Sequence, residues 1–110
     1  MDIKFKNNKL KKYANDDAFA KKKLGPKMAK LLKLRLDDLR AAESLEELIY
    51  VSGSYHELSQ NRKGQWACNL DQPYRLIFTP QGNPIPTDND GKYIWCEIEG
   101  VELIEIIDYH

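Results

Sequence analysis

The sequence is poor in the residues that most enzyme chemistry relies on. It has two cysteines, Cys68 and Cys96, 28 positions apart and without CxxC spacing. That pattern excludes a zinc site or a dithiol redox motif, and suits small thiols packed in strands. Two histidines, His56 and His110, leave few groups able to move protons near neutral pH. No Gly-rich phosphate loop, Ser nucleophile elbow or His/Cys ligand spacing occurs, so phosphate-loop, serine-hydrolase and metal chemistry lack support. No apolar run approaches the ~18 residues of a membrane span, and the opening Met-Asp-Ile-Lys-Phe-Lys is not a signal peptide. The expectation is one cytoplasmic domain over residues 1–110, with reduced thiols and no membrane partner.

Charge, by contrast, is abundant and unevenly placed. The chain carries 17 Lys plus Arg and 17 Asp plus Glu, a formal net charge of zero. Residues 1–40 hold 13 basic and 5 acidic residues, whereas residues 41–110 hold 4 and 12, so the halves stand at +8 and −8. Such asymmetry suggests a basic face for a polyanion. The competing explanation is that the lysines only solvate exposed helix faces.

Helical spacing dominates the first half. Ile3-Lys4-Phe5-Lys6 alternates as a short strand does, and Leu10, Tyr13 and Ala14 then sit at helical intervals. Asn15-Asp16-Asp17 caps a further helix through Phe19 to Leu24. Gly25-Pro26 is a joint, since Gly suits a helix end and Pro a helix start. Met28, Leu32, Leu36 and Leu39 form one stripe over Lys27 to Ala42, widened by Leu31 and Ala42. Ser44-Leu45-Glu46-Glu47 has capping-box spacing.

Strand grammar follows. Trp66, Cys68 and Leu70 alternate with polar or small neighbours, which predicts a strand with one buried face. Asp71-Gln72-Pro73 turns the chain, and Tyr74, Leu76 and Phe78 oppose Arg75 and Ile77. Pro80 to Gly91, with three Pro and two Gly in twelve residues, reads as loop. Tyr93 to Ile98 and Val101 to Tyr109 read as strands, with Glu99-Gly100 between them as either a tight turn or a bulge. Helices first and strands afterwards predict an α+β fold, with the helices on one face of a small antiparallel sheet. Arg75 would then project from the other face, where its planar fork suits phosphate. With two His, it could serve metal-free RNA cleavage, which needs a base for the 2′-OH, a cation for the phosphorane and an acid for the leaving oxygen.

Three motifs in order carry a family likeness. They are Tyr55-His56-Glu57-Leu58 with Arg62-Lys63-Gly64-Gln65-Trp66, then Tyr74-Arg75-Leu76-Ile77-Phe78, then the ending Val101 to Asp108-Tyr109-His110. Together they resemble the HigB branch of the RelE/ParE toxins, over nearly the whole chain. The resemblance implies a RelE-like fold and a type II toxin that cleaves mRNA on the 70S ribosome without a cofactor or metal. It implies a HigA-like helix-turn-helix antitoxin and, through that antitoxin, operator DNA. Carried over residue by residue, it assigns catalysis to His56, Arg75, Asp108, Tyr109 and His110, and RNA contact to Arg62 and Lys63. Lys22, Lys23, Lys27 and Lys30 on the helices would grip ribosomal RNA. The chain departs from the pattern at Ser59, where many members have Lys, and in its longer Pro80 to Gly91 loop. The rival readings are a ParE-like gyrase inhibitor and a non-catalytic module binding nucleic acid or antitoxin.

Overall fold

The protein, seen in a computed structural model that describes residues 1–108, has three helices and five strands. In chain order these are β1 (Asp2–Phe5), α1 (Asn8–Asn15), α2 (Asp17–Leu24), α3 (Pro26–Ala41), β2 (His56–Glu57), β3 (Trp66–Asn69), β4 (Tyr74–Pro80) and β5 (Gly100–Asp108). Short 3₁₀ turns at Leu45–Tyr50, Gln60–Arg62 and Trp95–Glu97 join them. The sheet runs β1-β5-β4-β3-β2. Strands β2 to β5 are mutually antiparallel, as expected. The sheet is nevertheless mixed, because β1 joins β5 in parallel, with Ile3 across from Val101 and Phe5 across from Leu103.

Local chemistry sets the helix boundaries. The Asn7 side chain accepts from Leu10 N at 2.9 Å and that of Asp16 from Phe19 N at 3.0 Å, so each supplies an acceptor to a helix start that lacks one. Gly25, at φ 90, ends α2, and Pro26 opens α3. The Glu47 carboxylate accepts from the backbone N–H groups of Glu43 and Ser44. Helix α3 buries Met28, Leu32, Leu36 and Leu39 against Trp66, Leu76, Phe78, Val101 and Leu103.

One charged residue interrupts that apolar stripe. Arg35 is buried on α3, and its Nε donates to the Asn69 carbonyl at the end of β3 at 2.6 Å. The Tyr55 hydroxyl packs beside it, 3.1 Å from the Arg35 carbonyl and 3.3 Å from Asp38 Oδ2. Gly53 fits because it has no side chain: a Cβ there would lie 2.9 Å from Arg35 Nε, and its φ of +121 favours glycine. The Gly53 carbonyl in turn accepts from Asn69 N at 2.8 Å.

Four expectations need correcting. Strand β3 is buried on both faces, since Ala67 is fully covered by a second apolar cluster with Leu58 and Ile77, flanked by Ile104 and Ile107. Tyr93 to Ile98 is not a strand: only Thr87 and Tyr93 bridge, and Trp95–Glu97 is a 3₁₀ turn. That turn lets the Trp95 ring meet Trp66 edge-on at 5.0 Å and close the core. Cys96 consequently lies exposed outside any strand, whereas Cys68 is buried in β3. Nor is Glu99-Gly100 a turn, because Gly100 already begins β5. The register irregularity lies instead between Ile77 and Phe78.

Three outcomes follow from these environments. Native protein should react with a thiol reagent at Cys96 and spare Cys68 until it is denatured. Burial raises the Cys68 thiol from its ordinary value of 9.0 to about 12, and raises the Tyr55 hydroxyl as well. Folded-state values above unfolded ones give stability that is complete below pH 9 and lost between pH 9 and about 12. Urea midpoints should fall over that window, and less steeply in Cys68→Ala. Gly53→Ala should cost roughly 1–3 kcal/mol in the same titration at neutral pH.

Candidate functional site

The sheet face turned away from the helices holds two of the residues singled out by sequence, His56 and Arg75. One row across it runs His56, Ala67, Ile77, Glu105, and the next runs Asn69, Arg75, Ile107. Residues paired across strands project from the same face, so His56 and Arg75 share it. Two strand spacings, roughly 10 Å, and two residues, roughly 7 Å, separate their backbones, distances their side chains can span toward a common ligand.

The chain around His56 fixes its ring. Nδ1 lies 2.7 Å from the Ser54 carbonyl oxygen, which can only accept. Nδ1 therefore carries the hydrogen, and in the neutral ring Nε2 holds the lone pair. Arg75 is half-buried in the middle of the sheet. Across from it, the buried Asn69 Oδ1 has no hydrogen-bond donor among the described residues, leaving an acceptor beside the guanidinium.

The same face is partly covered. Leu58 N donates to the Gln65 carbonyl at 2.8 Å, closing a loop whose Leu58 packs on Ala67 and Ile77. Arg62 on that loop donates through Nη2 to Glu105 Oε1 at 2.7 Å and through Nη1 to Gln65 Oε1 at 2.8 Å. It thereby links the β2–β3 connection to β5. Sequence reasoning missed Glu105, although an acid inside the apolar run from Leu103 to Ile107 is a legible signal.

The other singled-out residues are more dispersed. Lys63 is exposed at the β2 edge beside Glu57 rather than on the sheet face, and Ser59 is exposed at the start of the same turn. Asp108 ends β5 across from Tyr74, one position beyond the Ile107 that faces Arg75. Tyr109 and His110 lie outside the described residues. Lys22, Lys23, Lys27 and Lys30 are exposed on α2 and α3, in the helical layer on the other side of the sheet from Arg75. Lys27 Nζ sits 3.3 Å from Asp71. Among the described residues no group of three or more His, Cys, Asp or Glu is placed to hold a metal ion, and no helix is long and apolar enough to cross a membrane.

Comparison with known proteins agrees with this architecture. The family model described as "RelE-like toxin of type II toxin-antitoxin system HigB" matches residues 3–88. Among solved structures, a YoeB/ParE toxin from Agrobacterium tumefaciens superposes with a TM-score of 0.60 at 11% identity, covering 100% of both chains. A YoeB-YefM complex from Staphylococcus aureus gives a TM-score of 0.56 at 16% identity, covering 100% of this chain and 97% of that one. No curated protein matches the sequence. The family match spans most of the chain, and at these identities the structural likenesses speak to the fold alone. The chain belongs to the HigB-like family, the RelE-like toxins of type II toxin-antitoxin systems.

Proposed function

We propose that this toxin is a metal-independent endoribonuclease that cleaves mRNA on the ribosome and is neutralised by a HigA-like helix-turn-helix antitoxin. The observation that most supports this reading is the shared face of His56 and Arg75, with the His56 ring held by Ser54 so that Nε2 is the acceptor. In the proposed reaction Nε2 removes the proton from a ribose 2′-OH, and the 2′-oxygen attacks the adjacent phosphorus. The Arg75 guanidinium stabilises the phosphorane, where charge develops. The 5′-oxygen leaves with a proton, producing a 2′,3′-cyclic phosphate and a 5′-hydroxyl.

His110 is proposed as the donor of that proton, with Asp108 and Tyr109 positioning it or the substrate. Arg62, tied to Glu105, would hold the loop over the face, and Lys63 would meet RNA at its edge. Lys22, Lys23, Lys27 and Lys30, on the far layer, would hold ribosomal RNA while the sheet face addresses the message. Dependence on the ribosome is a natural consequence, because a message fixed in reactive geometry supplies the orientation that two well-spaced side chains cannot. That one similar structure is a YoeB-YefM complex supports an antitoxin partner for this chain as well. The antitoxin would bring the toxin to operator DNA.

Primer extension on translating ribosomes tests the reaction. Wild-type protein should produce discrete stops within codons, and His56→Ala and Arg75→Ala should each reduce them about 100-fold or more. Intact message with wild-type protein would end the nuclease reading, and inhibited DNA supercoiling in the same preparation would replace it with a gyrase-directed one. A second outcome concerns expression: induction of wild-type toxin alone should arrest growth, and co-expression with its cognate antitoxin should restore it and yield a co-purifying complex.

A further inference from the structure

The acidic half of the chain has four cations, Arg62, Lys63, Arg75 and Lys92. Arg75 and Arg62 belong to the sheet face described above. Lys63 and Lys92, 29 positions apart in sequence, are both exposed and line one hollow of about 650 Å³ at the β2 edge. Tyr93 and Trp95 line it too, as do the carboxylates of Glu57 and Asp90.

The hollow is formed by the long loop after β4. Thr87 and Tyr93 bridge, Ile94 N donates to the Pro86 carbonyl at 3.0 Å, and Asp88 N donates to the Lys92 carbonyl at 2.8 Å. This folds the loop into a hairpin that leans on the β2–β3 turn. The fit is close: a Cβ on Gly64 would lie 3.2 Å from the Tyr93 hydroxyl. One wall carries Glu57, the residue next to His56, so the hollow adjoins the proposed site across the edge of the sheet.

We propose that this hollow is a subsite for one nucleotide of single-stranded RNA flanking the cleaved phosphodiester, an assignment that rests on the nuclease reading above. Aromatic rings beside paired ammonium groups are what an unstacked nucleotide needs, a π-face for the base and cations for its phosphates. Lys63 and Lys92 take the phosphates, and Tyr93 and Trp95 offer the stacking surface. Glu57 and Asp90 repel phosphate but accept from exocyclic amines, so the subsite favours adenine, cytosine or guanine over uracil.

Binding and cleavage separate this assignment from the nuclease reading. Titration of the free protein with a five-residue oligoadenylate should change tryptophan emission, because Trp95 is half-exposed in the hollow while Trp66 is fully buried. The signal should vanish in Trp95→Phe. Lys92→Ala, a change on an exposed loop, should weaken binding several-fold and reduce the salt slope by about 0.7. Tyr93→Leu should weaken it further, with circular dichroism confirming the fold. Oligouridylate should bind less tightly, and Glu57→Gln should narrow that difference. On ribosomes, Glu57→Gln should alter the preferred base beside the cut. Unchanged binding in Lys92→Ala and Tyr93→Leu together with unchanged flanking preference in Glu57→Gln, with wild-type cleavage intact, would overturn the subsite and leave the nuclease. Oligonucleotide binding that depends on these residues in a protein that cuts no message would do the reverse.

Discussion

The arrangement of this toxin turns on a guanidinium placed where a hydrophobic side chain would be expected. Arg35 points from the apolar stripe of α3 toward the sheet, and a buried cation must find acceptors or destabilise the fold. Its Nε hydrogen bond to the Asn69 carbonyl attaches the helix to the end of β3, and the Gly53–Tyr55 segment wraps around it. Both halves of the candidate site depend on this tie. Asn69 faces Arg75 across the strand pair, and His56 directly follows Tyr55, with its ring bonded to Ser54. A buried charge on one side of the sheet thus sets the positions of two half-buried groups on the other.

The second constraint is the double coverage of the central strands. The helical layer takes Trp66, Leu76 and Phe78, and a smaller apolar cluster around Ala67 and Ile77 lies beneath the loop carrying Arg62. The loop does not float over this cluster, because Leu58 is buried in it and Arg62 is tied to Glu105. The pair is partly exposed, so its contribution to stability is small, within about 1 kcal/mol. Its larger effect is electrostatic: a carboxylate that would repel anions from the face of Arg75 is matched by a cation. The net charge of the C-terminal half therefore misdescribes the field at the site.

Sequence alone revealed the elements governed by short-range rules. The cap at Asp16, the Gly25-Pro26 joint and the leucine stripe of α3 are local, and α2 and α3 begin where these residues put them. The face occupied by Arg75 was legible too, because alternation along β4 depends only on the pleat. What stayed hidden is long-range. Ala67 looks like a neutral outward position until Leu58 covers it. Residues from Tyr93 to Ile98 have strand-like composition, but packing of Trp95 against Trp66 overrides it. Arg35 resembled any helix cation, and nothing near it in sequence announces Asn69 or Gly53. Of the singled-out site, His56 and Arg75 share a face, whereas the helix lysines stand on the opposite layer.

The parallel pairing of β1 with β5 bears on how the chain matures. Asp2–Phe5 find their partners 98 positions further along the chain, at residues 100–103. Pairing of such high sequence separation is slow and costly in chain entropy. The β1–β5 edge of the sheet therefore closes after the local helices and the β3–β4 hairpin have formed.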